Sequence, residues 1–337
     1  MKAEPFQAGA GVPAVWPALP PLEAWKDTFT TVHMWTQVVG KIRLALAPFI
    51  NHWWGVALHV TTRGLTTSPI PAKGRPFTIE FDFLNHALRV TTAEGAERSF
   101  ALRPMAVAEF FAKTMDALRE LDVDVHIFTR PVEVVEAIRF EQDHRHASYD
   151  AQAMHLFWRA LLQAERVLTH FRSRFIGKVS PVHFFWGGFD LAVTRFSGRT
   201  APKHPGGVPN CADWVMHEAY SHEVSSAGFW PGGGLGGREE AAFYAYAYPQ
   251  PTGFASRAVR PGAAFFHAGL GEFILPYEAV RTAEDPDESL LSFLESTYEA
   301  AAILAEWDRP ALERSVKRAT LDTPGADSGT NTSHRKP

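Results

Sequence analysis

The chain has 337 residues, 46% of them hydrophobic and 21% charged, with a formal net charge of −4. Those values exclude a wholly disordered chain or a collagen-like repeat, and the near balance of 33 basic against 37 acidic residues removes the basic footprint of a nucleic-acid binder. No run approaches the roughly 18 apolar residues of a spanning helix, the start Met1-Lys2-Ala3-Glu4-Pro5 lacks a secretion pattern, and a single cysteine, Cys211, permits no internal disulfide; the expectation is a soluble cytoplasmic protein with no membrane or nucleic-acid partner.

Residues 1–14 and 314–337 read as tails, the latter being almost devoid of apolar side chains. A first α+β half is expected over 15–149. Its opening helix runs from Leu22 to Ala47, with Trp25, Phe29, Val32, Val39 and Leu46 near one face and Pro48 as its stop. Strands are expected at 54–62, 77–83, 88–92 and 99–102. Of these, Phe77, Ile79, Phe81 and Phe83 alternate with Thr78, Glu80 and Asp82 in the period of a half-buried antiparallel strand. A helix over 105–121 and a short strand at 123–128 complete this half.

The second half, 150–313, opens with a helix over 151–175 that carries Phe157, Leu161, Ala164, Leu168 and Phe171 near one face. Strands follow at 182–186, 189–196, 222–229, 242–248 and 272–276, and a helix over 289–307 closes it. Relative to the first half, 197–238 is a Gly/Pro-rich insertion. Helices grouped with antiparallel strands define an α+β class.

An internal echo suggests duplication and an intramolecular pseudo-dimer. His52-Trp53-Trp54-Gly55 recurs as Phe184-Phe185-Trp186-Gly187, and Val60-Thr61-Thr62-Arg63 as Ala192-Val193-Thr194-Arg195, both at an offset of 132. Phe100-Ala101-Leu102 similarly matches Phe273-Ile274-Leu275.

Four strings, Trp16-Pro17-Ala18-Leu19-Pro20, His33 to Lys41, Ser180 to Gly187 and Tyr220-Ser221-His222-Glu223-Val224, resemble an uncharacterised bacterial family, domain of unknown function 5996. The resemblance covers nearly everything between the tails. It implies a bacterial protein and carries no activity, cofactor or catalytic residue with it.

Two constellations offer chemistry. His33, Gln37 and Lys41 stack at i, i+4 and i+8 on the opening helix, as the polar wall of a pocket or as a solvated helix face. In the second half, His183 and His222 stand at strand starts and would converge if those strands paired, with Asp190 as an acid–base partner of His222 and Arg195 and Tyr220 nearby. His217 and His222 are five apart, so they do not form a His-Glu-x-x-His helix site, and no metal is assigned. The run Gly232 to Gly237 matches G-x-G-x-x-G, but a strand-like segment rather than a helix follows it. It reads as a loop, of interest only as a lid over the adjacent aromatic strand.

The leading functional expectation is a protein that binds a small polar or anionic molecule in an aromatic-lined pocket between the halves, without a cofactor. His33, Gln37, Lys41, Arg63, Arg195, Tyr220 and Trp230 would be its contacts. The alternative makes the same pocket catalytic, with His222 or His183 and Asp190 as acid and base and the arginines stabilising an anion.

Overall fold

The computed structural model describes residues 15–72, 74–232 and 240–314; the predicted tails, apart from Arg314, and the glycine run beyond Gly232 lie outside the described residues. Among those residues the protein is α+β, with two antiparallel sheets and seven helices.

The first part of the chain supplies α1 (Leu22–Leu46), a five-stranded sheet and α2 (Val107–Glu120). The strands are β1 (His59–Val60), β2 (Gly64–Thr66), β3 (Phe77–Asp82), β4 (Ala87–Thr92) and β5 (Glu97–Ala101), and they pair in chain order as a meander. The predicted alternation holds over most of β3, where Phe77, Ile79 and Phe81 are buried and Thr78 and Glu80 are partly exposed, but it breaks at Asp82, which is buried and ion-paired with Arg63. Two expectations fail here. Residues 54–62 form a strand only at His59–Val60, because a 3-10 turn over Asn51–Trp53 precedes it, with His52 and Trp53 at positive φ. Residues 123–128 form no strand.

The remainder supplies α3 (Ala151–Ser173), β6 (His183–Phe185), β7 (Asp190–Thr200), α4 (Asp213–Ala219), β8 (His222–Trp230), β9 (Ala242–Tyr248), β10 (Phe265–His267) and β11 (Glu272–Pro276). It ends in α5 (Tyr277–Arg281), α6 (Pro286–Leu304) and α7 (Arg309–Leu312). The second sheet has the order β10-β11-β9-β8-β7-β6. Local chemistry starts its helices: Asp150 accepts from the backbone N–H groups of Gln152 and Ala153 at the head of α3, and Asp285 caps α6 ahead of Pro286.

The two sheets meet edge to edge. Leu58, just before β1, exchanges backbone hydrogen bonds of 2.8 and 2.7 Å with Phe184 of β6. Along this seam runs α1, whose central turns are largely enclosed: Val32, Trp35, Val38 and Ile42 are core residues, and Gln37 and Lys41 on the polar row are buried as well. Trp35 stacks on Phe110 of α2 at 4.8 Å, Trp25 meets Phe157 of α3 at 5.6 Å, and Phe157 in turn stacks on Phe189 below the second sheet. The solvated-face expectation for the His33–Gln37–Lys41 row is therefore overturned, since Gln37 and Lys41 are buried and His33 is partly so.

The three sequence echoes behave differently. His52–Gly55 lies in a turn whereas Phe184–Phe185 is strand, and Thr61–Arg63 is a turn whereas Ala192–Arg195 lies inside β7. Phe100–Ala101 and Phe273–Leu275 do fall on comparable elements, β5 and β11, each followed by a helix.

Candidate functional site

β-strand alternation divides the second sheet into two faces. Phe243 and Ala245 of β9 and Phe229 of β8 belong to the main core with α3 and α6, while Tyr244 and Ala242 form a separate small cluster with Ile274 on the outer face. The register sets Tyr244 opposite Gly228, Tyr246 opposite Ser226, and Gly228 opposite Ala192 of β7. Tyr244 lies across Gly228, where a Cβ would stand 2.4 Å from its hydroxyl, and so reaches over β8 to donate a short hydrogen bond to Asp190. Trp230 stacks on Tyr244 at 4.7 Å, and the Tyr246 and Tyr220 hydroxyls are hydrogen-bonded at 2.9 Å.

The seam helix brings a second carboxyl to this face. Gln37 clamps Val132 from both sides, its Nε2 donating to the Val132 carbonyl at 2.7 Å and its Oε1 accepting from the Val132 N–H at 2.8 Å. His33 Nε2 donates to the Gly187 carbonyl at 2.8 Å. Between these anchors stands Glu133, a non-glycine residue at φ +59°, whose N–H donates to the Pro209 carbonyl at 2.9 Å. Its carboxyl lies over the Gly187-Gly188 turn, where a Cβ on Gly187 would be 2.1 Å from Glu133 Oε1 and one on Gly188 would be 2.7 Å from Asp190 Oδ1. Two adjacent glycines thus make the space that two carboxyls occupy. Among the described residues, the Glu133 carboxyl accepts no hydrogen bond and forms no ion pair.

Burial dominates the electrostatics. Desolvation, with the charge of Asp190 added, pushes the Glu133 carboxyl up to about 7. Asp190 is raised to about 6 by burial, against the opposing hydrogen bond from Tyr244. Burial lowers Lys41 to about 8, and it raises the Cys211 thiol to about 11 with help from Glu133. His33 is held down to about 4, which fits a neutral ring donating from Nε2. Two carboxyls with different midpoints near neutrality can hold one proton between them, an arrangement suited to proton exchange with a bound molecule.

Six predicted residues gather here: His33, Gln37, Lys41, Asp190, Tyr220 and Trp230. Four do not. His183 and His222 fail to converge because β6 pairs with β7 and not with β8; His183 faces Ala192 and His222 faces Thr200, eight residues along β7, or about 26 Å at strand rise. Asp190 lies ten residues from Thr200 along β7, so the His222–Asp190 acid–base pair does not form. His222 instead contacts Ser221 and lies 5.6 Å from the His52 ring. Arg63 belongs to the first sheet, ion-paired with the buried Asp82 at 2.6 Å. Arg195 points to the opposite face of β7, its guanidinium 3.4 Å from the Phe171 ring centroid and 3.5 Å from Glu295. It lines a cavity of about 400 Å³ between α3, α6 and α7. Several of its charged groups are already engaged: Arg174 with Glu295, and Arg309 with Glu299 and Glu313.

Glu133 is the residue that sequence reasoning missed. It sits in a connector with no motif around it, and only the fold sets it beside Asp190. Tyr244 lies on the strand expected at 242–248, but its reach to Asp190 depends on Gly228 in a neighbouring strand.

His183 has a structural consequence of its own. It is 0% exposed, neither ring nitrogen has a hydrogen-bond partner, and His59 stands across the seam at 6.3 Å. Desolvation lowers His183 to about 3 and His59 to about 4. Both stay neutral in the fold yet would protonate in the unfolded chain below about pH 6.5, so they withdraw stability as pH falls from 6.5 toward 4. His183→Leu should reduce the acid loss by on the order of 1–2 kcal/mol at pH 5, read by urea unfolding at pH 5 and 7.5. An unchanged pH dependence would show that the ring is solvated.

Among the described residues, no group of three or more His, Cys, Asp or Glu is placed to hold a metal ion, and no helix is long and apolar enough to cross a membrane. Fold and site together define an α+β protein with a carboxyl–tyrosine cluster at the junction of two antiparallel sheets. The chain belongs to the family of unknown function DUF5996, which matches residues 16–314. The comparison with curated proteins finds no match, and that with solved structures finds none either.

Proposed function

We propose that the protein binds a small polar molecule at the seam, against Trp230, Tyr244 and the Tyr220–Tyr246 pair, and that Glu133 exchanges a proton with it. The observation that carries this reading is the Glu133 carboxyl, held on a left-handed backbone with no hydrogen-bond donor of its own. Glu133 is partly buried, and backbone outliers and perturbed acids both concentrate where function requires them. With two carboxyls present and Arg63 and Arg195 elsewhere, the site favours an uncharged or cationic ligand over an anionic one. Tyrosine hydroxyls and an indole face suit a hydroxylated compound. The acid–base alternative passes from the histidines to Glu133 and Asp190.

A thermal-shift screen of polyols, sugars and small amines tests this. A compound that raises the wild-type midpoint and leaves Glu133→Gln unmoved is the expected result; equal shifts in both proteins would place the binding elsewhere.

The same reading treats residues 15–149 and 150–313 as duplicated halves, each a long helix, antiparallel strands and a closing helix, with β5 and β11 as the equivalent last strands. It also places the protein in the bacterial cytoplasm, in keeping with its single cysteine.

A further inference from the structure

The polar row on α1 leaves one member unused. His33 is bonded to Gly187 and Gln37 to Val132, yet the Lys41 ammonium has neither a hydrogen-bond acceptor nor a carboxylate among the described residues. It is only 5% exposed. Its neighbours are the Trp186 ring at 6.0 Å and the Phe128 ring at 5.5 Å, with Cys211 close enough to interact electrostatically. Phe128 is 65% exposed, so the ring beside the amine lies at the protein surface. A lysine that served only to lend its stem to the core would be expected to carry its ammonium out to water. Lys41, 5% exposed as a residue, instead keeps its ammonium beside two rings, on the helix that also anchors the Glu133 and Gly187 segments.

We propose that Lys41 is a nucleophilic amine that forms an imine with a small hydroxylated aldehyde or ketone at the seam. The inference rests on the seam being a small-molecule site and specifies the substrate class. The uncharged amine attacks the carbonyl carbon, a C–N bond forms, and the carbonyl oxygen leaves as water after two proton transfers, giving C=N with no change in oxidation level. An amine without a counter-charge is the form such chemistry needs. At pH 7, a group at about 8 is roughly one-tenth neutral, against well under a thousandth for an ordinary lysine. The carbonyl class also agrees with the neighbourhood: tyrosine hydroxyls and carboxyls would meet the hydroxyl groups of the compound, while burial of Lys41 away from water makes its amine easier to deprotonate.

The test is reductive trapping of the full chain with dihydroxyacetone and cyanoborohydride at pH 7.5, followed by peptide mapping. The chain has nine lysines, so the other eight serve as internal controls. Lys41 is expected to be modified about tenfold faster than exposed lysines such as Lys26, and at a rate that levels off above about pH 8. Modification of Lys41 no faster than of Lys26 overturns the proposal. The same trapping in Glu133→Gln separates the two readings: a Lys41 adduct there supports the imine whatever becomes of Glu133, and failure at Lys41 in both proteins removes the imine while leaving the ligand screen to be judged by its own result.

Discussion

Replacing Gly228 with Ala should cost about 2–4 kcal/mol and break the Tyr244–Asp190 bond. The new Cβ would stand 2.2 Å from the Leu191 carbonyl oxygen and 2.4 Å from the Tyr244 hydroxyl. The first clash is with backbone in the adjacent strand, so it cannot be relieved by a side-chain rotation alone. The second expels the tyrosine from the path it needs to cross β8. Asp190 then loses the donor that opposes its desolvation, and its midpoint should rise above the present value of about 6. Denaturant unfolding together with a carboxyl titration reads both effects. A variant as stable as wild type, with Asp190 unmoved, would mean that Tyr244 does not lie where the site requires it.

The second large effect is one of pH. Glu133 titrates at about 7 in the fold against 4.5 when unperturbed, so the folded state holds its proton more tightly than the unfolded chain does. A carboxyl raised in this way contributes fully below about pH 4.5, and its contribution is lost as pH climbs through 7. Between pH 5 and 8 the wild type should therefore lose on the order of 2–3 kcal/mol that Glu133→Gln keeps. The variant should become the more stable protein at pH 8 while losing ligand response. Stability gained by neutralising an acid that serves no fold contact is the signature of a residue retained for function. Parallel pH profiles for the two proteins would assign Glu133 to an ordinary hydrated loop.

Much of the secondary structure was readable because its causes are local. Alternation on β3, the Asp150 cap of α3 and the proline after α1 each act within a few residues. The misreadings came from long-range causes. Residues 54–62 have the composition of a strand, but two left-handed residues, His52 and Trp53, break the chain before it, and what remains is used to bridge the sheets at Leu58. The polar row of α1 was visible at its i, i+4 spacing. That it is interior could not be seen, since its partners Val132 and Gly187 lie 95 and 154 residues away. Histidines and arginines drew attention by type, yet Arg63 and Arg195 are committed to Asp82 and to Glu295 with the Phe171 ring. Glu133 attracted none, because an acid in a connector acquires its character only from the burial and the neighbouring carboxyl that the fold supplies.

The most direct test of the seam site is the titration of the Glu133 carboxyl itself, followed by carbon-13 NMR from pH 3 to 9 and assigned by the resonance missing in Glu133→Gln. A midpoint near 7 is expected, with a second, lower inflection transmitted from Asp190. A midpoint at or below 4.5 would mean a solvated or hydrogen-bonded glutamate, and would contradict the assignment of this carboxyl as the proton-exchanging group of the site.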